Sequence, residues 1–175
     1  MSYLYSSEVF LGEKFETGNT FLWMRNRANN QLSWTLIYQD GKAIRYAANP
    51  QQGTQELLQV TADLQPTQQL NLALNYTYFI FELPQQPLFS YPISRARLSY
   101  QYNRYVLFRG IVEHNGYRDT LLTDLLASFT YIPGTVMHLG YGSIYQESLS
   151  ATTRELDYNE TNRGFFFKAS YNWRK

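Results

Sequence analysis

The chain has two histidines, and the chemistry they could support is the first question that its sequence raises. His114 is followed by Asn115, Asp119 and Asp124, a loose cluster of residue types that carry out acid–base chemistry. Closeness in sequence is weak support for such a site, because an acid–base site is defined by its geometry. We therefore interpret His114 as an ordinary loop histidine. We predict no catalytic residue and no enzyme activity.

The second histidine, His138, stands with Gly140 and Gly142 on one face of a predicted strand. No second histidine stands at metal-ligand spacing from it, and the chain contains no cysteine. No segment resembles a phosphate-binding loop. We predict a packed interior histidine, no metal site and no cofactor.

Charged side chains of both signs occupy the polar positions of the predicted strands. Unpaired charges are unfavourable away from water, so opposite charges on neighbouring strands are expected to pair across the lumen of a closed sheet. One interpretation is a selective pore. The other, which we favour, is an ion-pair and hydrogen-bond network that plugs a narrow lumen, because water channels need about 16 strands. The predicted lumen charge network consists of Arg95, Arg97, Arg109, Glu113, Asp124, Lys168 and Arg174, with Asp63 beside them.

The elements that must position these residues are about ten stretches (8 to 12) in which apolar and polar residues alternate. In the clearest, 70–80, apolar and aromatic residues interleave with Asn71, Ala73, Asn75 and Thr77. A period of two predicts β-strands with one apolar and one polar face. The stretches are 3–11, 20–27, 32–38, 58–64, 70–80, 95–102, 105–113, 124–131, 135–146 and 165–173.

The connections between these stretches alternate in length. Short turns are predicted near residues 29, 66, 103 and 133, and longer loops near 16, 46, 87, 116 and 154. In outer-membrane barrels the short turns are periplasmic and the long loops extracellular. The pattern predicts an antiparallel transmembrane β-barrel, an up-and-down meander, with residues 40–53 and 147–162 at the cell surface.

Composition agrees with one barrel domain over residues 1–175. Aromatic residues make up 17% of the chain, and its mean hydropathy is −0.42. No apolar run reaches the ~18 residues of a membrane-spanning helix, whereas a barrel strand is apolar only at every second position. A net charge of +1 gives no signal for nucleic acid. The chain opens without an apolar targeting segment, so we interpret it as a mature or trimmed form.

Aromatic residues lie on the apolar faces, several near predicted strand ends. In a membrane they would anchor the barrel at the two interfaces, with the ring in lipid and the polar tip in water. A protein core or an oligomer interface is the alternative. The predicted aromatic girdle is Tyr76, Tyr78, Tyr100, Tyr102, Tyr131, Tyr141, Tyr171 and Trp173.

Alternation alone leaves open which face is outside. A soluble, lipocalin-like barrel would turn the apolar face inward. The interior of a small barrel is just filled by side chains, and the bulky Tyr, Trp and Leu residues would overfill it. We therefore favour a polar interior and a lipid-facing exterior.

Three runs in the C-terminal half carry a family resemblance. RARLSYQYNR (95–104), LLTDLLASFTYIPGTVMHLGYGSIYQE (121–147) and RGFFFKASYNWR (163–174) resemble the end of a family of large, uncharacterised bacterial outer-membrane proteins. In that family a β-barrel follows a module similar to family 9 carbohydrate-binding domains. VFLGEKFETG (9–18) and GKAIRY (41–46) resemble earlier stretches of the same barrel. The resemblance implies a fold and a location in the bacterial outer membrane, and it covers only the last part of the longer family members.

Three functions follow as hypotheses. The first is an integral membrane scaffold or anchor with a largely plugged polar lumen. The second is a pore or uptake component for small solutes or, by analogy with the family module only, glycans. The third is a soluble or redesigned barrel. The expected partners are the lipid bilayer or detergent and the outer-membrane insertion machinery, together with another copy of the chain or the missing N-terminal module.

Overall fold

The computed structural model describes residues 1–84, 86–132, 134–149 and 156–171, which form twelve β-strands. No helix in this part of the chain is long and apolar enough to cross a membrane. The strands are β1 Ser2–Leu4, β2 Ser7–Phe10, β3 Glu13–Glu16, β4 Asn19–Arg27, β5 Leu32–Arg45, β6 Gln51–Leu64, β7 Leu70–Leu83, β8 Gln86–Gln101, β9 Val106–Asn115, β10 Thr120–Ile132, β11 Thr135–Leu149 and β12 Leu156–Ser170.

Ten of these strands form one antiparallel sheet, and β2 and β3 pair separately as a hairpin. The order in the large sheet is β1, β4, β5 and onward in sequence to β12. The predicted all-β fold and ten-stranded antiparallel meander are thus confirmed. The sheet is open, with β1 and β12 as its two edges, so the closed barrel that the sequence predicts is not part of the observed pairing.

The N-terminal segment differs from the single strand predicted over residues 3–11. Leu11 and Gly12 both have positive φ, 50° and 86°. Two such residues in succession make the tight turn that joins hairpin strands, and glycine adopts this conformation without strain. The chain therefore folds back on itself there, and only the three residues of β1 remain to pair with β4.

The predicted long loops are mostly paired strand. Ala43 is opposite Gly53, and Glu147 is opposite Tyr158, within segments that the sequence assigns to loops. Strand pairing continues past the apolar side chains because backbone hydrogen bonds do not depend on them. We call the end of the sheet that carries connections 46–50 and 116–119 the distal end, and the opposite end the proximal end. These two distal connections are no longer than the proximal connection 65–69.

The pairing register assigns each side chain of the sheet to one of two faces, because residues directly opposite each other share a face. We call them the apolar face and the polar face. One row of the apolar face runs through Leu32, Leu64, Leu72, Leu98, Gly110, Leu125, Tyr141 and Phe165. The neighbouring row of the polar face runs through Ser33, Asp63, Ala73, Arg97, Ile111, Asp124, Gly142 and Gly164.

Apolar side chains in the middle of the sheet differ in exposure between the two faces. Ala73 and Ile111 are 6% and 8% exposed, whereas Leu98 and Leu125 are 46% and 56% exposed. A curled single sheet crowds the residues of its concave face and separates those of its convex face. We infer that the sheet curls with the polar face inside.

Candidate functional site

The predicted lumen charges meet on the polar face of β8, β9 and β10. Arg95 lies opposite Glu113, with 3.5 Å between Nη1 and Oε2. Arg109 reaches diagonally to Asp124, with 3.8 Å between Nη2 and Oδ1. All four side chains are partly shielded from solvent. Two ion pairs thus join β8, β9 and β10 on the polar face.

The remaining predicted charges have different surroundings. Arg97 shares the polar face but stands between Ala73 and Ile111, neither of which offers a charge. Lys168 lies opposite His138 on β11. Neither Arg97 nor Lys168 takes part in the ion pairs of the described residues. Arg174 lies outside the described residues.

The two histidines are not brought together with an acid–base partner set. His138 lies on the polar face, and its Nδ1 is 2.8 Å from the hydroxyl of Ser128, which is 8% exposed. His114 is the penultimate residue of β9, so its prediction as a loop residue is wrong. It lies opposite Leu121 on the apolar face, whereas Asp124 points to the polar face. The described residues contain no cluster of His, Asp and Glu that could hold a metal ion.

The predicted girdle residues occupy three levels of the sheet. Four of them lie toward the proximal end: Tyr100 and Tyr131 within strands, and Tyr102 and Tyr171 just past the ends of β8 and β12. Tyr78 lies toward the distal end, in a row with Tyr38 and Leu58. The intermediate residues are Tyr76, opposite Val60, and Tyr141, opposite Phe165. Trp173 lies outside the described residues.

One aromatic cluster is absent from the sequence predictions. Phe79 and Phe81 of β7 each stack on Phe89 of β8, with ring centroids 5.8 Å and 5.5 Å apart. Phe79 also contacts Tyr91, which contacts Tyr117 at 4.9 Å. We call these five rings the distal ring cluster, because they lie at the distal end of the sheet. Four of them belong to the polar face of β7 and β8. The signal in the sequence is that the polar positions of β7 become aromatic after Thr77.

The small hairpin β2–β3 attaches to the distal end of β5. Lys42 forms an ion pair and hydrogen bond with Glu16, and these lower the pKa of Glu16 and raise that of Lys42. The Tyr46 hydroxyl donates to Glu8 at 3.0 Å, a hydrogen bond that raises the pKa of Tyr46. The Tyr46 ring also packs edge-on against Phe10 at 5.1 Å. The side chain of Gln52 on β6 also holds the hairpin, because it accepts from the Glu16 backbone N–H and donates to the Glu16 carbonyl.

The apolar face carries a groove of about 440 Å³ around Gly110. Leu98, Phe108, Leu125 and Phe165 form much of its wall. The groove exists because Gly110 contributes no side chain to a row that is otherwise filled by leucine and aromatic residues. Its described lining is mainly apolar, so it extends the apolar surface of the sheet.

Comparison with models of known protein families and with curated proteins found no match for this chain.

Proposed function

We propose that this chain is an integral outer-membrane β-barrel, a scaffold or anchor whose polar lumen is largely plugged. The observation that carries the proposal is the apolar face. It continues without a break from β4 to β12, and its large side chains are exposed, with Phe165 at 79% and Phe167 at 67%. Apolar patches on soluble monomers rarely exceed a few hundred Å². A lipid bilayer would cover such a face completely.

The apolar band runs diagonally across the strands, as the strands of a tilted barrel require. On β5 the band extends from Leu32 to Tyr38, toward the distal end. On β10 it starts at Leu125, in the row of Leu32, and extends to Tyr131, toward the proximal end. Between β5 and β10, which are five strands apart, the centre of the band thus shifts by six residues along the strands, toward the proximal end. With about 3.4 Å per residue and about 4.8 Å per strand, this corresponds to a tilt of about 40°, within the range of membrane barrels.

Closure follows from the chemistry of lipid. In hydrocarbon, each unpaired N–H or C=O costs several kcal/mol, so a sheet that spans a bilayer must have no free edge. β12 has a free edge, and β4 has another at residues 22–27, beyond the three residues that β1 covers. We propose that these two edges pair when the protein is in a membrane. The ring closed in this way contains nine strands, β4 to β12, with the short β1 beside the first residues of β4. Its closing pair is parallel, because β4 and β12 run in the same direction.

The polar face supports a plugged lumen. Two ion pairs and the contact between Ser128 and His138 link β8, β9, β10 and β11 across that face. In a barrel of about ten strands the opposite wall is close, so such side chains fill the interior. A structural role in the membrane therefore agrees better with this face than free conduction does.

The alternative function is a pore or uptake component for small solutes or glycans. The observation that favours it is the distal ring cluster, because Phe89 and Tyr117 remain 38% and 64% exposed at the distal mouth. Exposed rings there offer a flat apolar surface to a solute that enters the lumen. Conductance across a planar bilayer separates the two functions: the scaffold predicts no steady current, and the pore predicts one.

The experiment that tests membrane insertion is gel mobility of the detergent-refolded protein before and after boiling, together with its solubility when detergent is removed. A closed membrane barrel predicts a heat-dependent shift in mobility and precipitation without detergent. A soluble monomer with no shift would contradict the proposal, because the apolar face would then be buried in a core.

A further inference from the structure

We propose that the polar face binds a free oxyanion of the phosphate type at Arg97. The three arginines Arg95, Arg97 and Arg109 lie on the same face of two paired strands. Two carboxylates, Glu113 and Asp124, pair with Arg95 and Arg109. The guanidinium of Arg97 has five donors and no carboxylate partner among the described residues, so an anion from solution is its available partner.

Neutral hydrogen-bonding groups surround Arg97. Ser99 follows it on the same face of β8, and Asn71 and Asn75 lie on the same face of β7, two residues to either side of Ala73. None of these three side chains has a hydrogen-bond partner within the described part of the chain. Two amides and a hydroxyl beside a guanidinium supply the donors that a tetrahedral oxyanion needs. Ala73, directly opposite Arg97, is 6% exposed and offers no polar group that would compete for the guanidinium.

Asp63 is the carboxylate that could compete with a bound anion. It stands in the same row as Arg97 but two strands away, about 10 Å between Cα atoms at ordinary strand spacing. It lines a polar pocket with Arg25 and Arg27, which lie closer to the edge of the sheet. Lys168, a further cation on this face, lies four strands from Arg97. Cationic groups therefore outnumber carboxylates on the polar face, which favours an anion over a cation as ligand.

A free anion is a better candidate than a lipid headgroup. The arginines lie on the polar face, and the proposed lipid contact is on the opposite face of the same sheet. The inference does not depend on membrane insertion, because the site is formed by two paired strands whether or not the sheet closes.

The test is titration of the refolded full chain with inorganic phosphate, in a phosphate-free detergent, by calorimetry or phosphorus NMR. Arg97→Gln is expected to weaken phosphate binding at least about tenfold, because it removes the charged hydrogen-bond donors of the site. Asn75→Asp keeps Arg97 but places a carboxylate beside it and is expected to weaken binding to a similar extent. Circular dichroism confirms that each variant keeps its β-structure.

Arg104→Gln is the matched control. Arg104 lies in the proximal connection between β8 and β9, with its guanidinium 4.5 Å above the Tyr105 ring, so this variant removes one positive charge away from the site. Its affinity for phosphate is expected to stay within twofold of that of the unchanged protein.

The proposal is overturned if the unchanged protein shows no saturable binding. It is equally overturned if Arg104→Gln weakens binding as much as Arg97→Gln, which would mean that only net charge matters. If the protein proves soluble, the same titration runs without detergent, so failure of the membrane proposal and failure of this one are distinguishable.

Discussion

At the residue scale, ion pairs connect neighbouring strands of the sheet and attach its hairpin. Arg95 with Glu113 and Arg109 with Asp124 connect adjacent strands of the polar face. Glu16 with Lys42 connects the small hairpin to β5. The first two pairs lie within the proposed membrane-spanning part, whereas the third is open to water and responds to bulk pH.

Acid is expected to weaken the attachment of the hairpin to β5. The hydrogen bond and charge of Lys42 lower the pKa of Glu16, so the stabilising contribution is present above the ordinary pKa of a glutamate. It is lost as the pH falls through the lowered pKa of the folded state, where Glu16 takes up a proton. Amide exchange protection of β2 and β3, corrected for intrinsic rates, should therefore fall at acid pH while that of β6 and β7 persists.

Glu16→Gln should show weak hairpin protection that no longer depends on acid pH. Glu13→Gln changes a glutamate of the same strand that has no ion pair among the described residues, and it should behave as the unchanged protein does. Equal acid sensitivity in Glu16→Gln and the unchanged protein would contradict the role of the Glu16–Lys42 pair.

The partners of individual charges were beyond prediction from sequence. Alternation places Arg95, Arg97 and Glu113 on one face, and the structure keeps them there. The alternation does not reveal that Arg95 rather than Arg97 lies opposite Glu113. That pairing depends on the register between β8 and β9, which a slip of the strands would change. The same dependence separates His114 from Asp124, which are near in sequence but on opposite faces.

At the element scale, close approach of strands β6 and β7 depends on a glycine. A Cβ added to Gly53 would lie 2.5 Å from the backbone oxygen of Glu82 and 2.9 Å from the Phe81 ring. Gly53→Ala is therefore expected to reduce the free energy of unfolding by about 1–3 kcal/mol, the usual effect of overpacking. Urea unfolding of the detergent-refolded protein measures the change.

Gly164→Ala is the matched control for this substitution. No atom lies within 4 Å of the Cβ position at Gly164, which is on the exposed edge strand β12. Its effect should stay within about 0.5 kcal/mol. If both variants lose the same stability, the effect comes from glycine replacement in strands and not from the approach of Glu82 to Gly53.

The strands were predictable where side chains alternate and unpredictable where only the backbone decides. The alternation over 70–80 corresponds to β7, and that over 124–131 lies within β10. Beyond Tyr38, charged residues such as Asp40 and Lys42 interrupt the apolar face, so the sequence indicates a loop although pairing continues to Arg45. The turn at Leu11 and Gly12 was missed because a non-glycine residue with positive φ gives no clear signal.

At the scale of the whole molecule, membrane insertion depends on how the unpaired backbone groups of the two free edges, on β4 and β12, find hydrogen-bond partners. The apolar band on β12 is centred near Phe167, and that on β4 consists of Leu22 and Met24. In a bilayer both bands must lie at the same depth, so Met24 and Phe167 are expected to be level with each other. Their strands would then pair with their apolar side chains on the same, outward face.

The most direct test is a cysteine cross-link between these edges in lipid vesicles, in a chain that has no cysteine of its own. Met24→Cys is combined in turn with Phe165→Cys, Phe167→Cys or Ala169→Cys, since a disulfide needs Cα atoms within about 7 Å. Met24→Cys with Leu36→Cys, on directly opposite residues, is the positive control. Met24→Cys with Leu64→Cys, two strands apart and out of register, is the negative control.

Closure of the barrel predicts that one of the three pairs forms a disulfide within a monomer, with highest yield at or next to Phe167. Cross-links that form only between two chains, or no cross-link while the positive control reacts, would contradict the closed barrel.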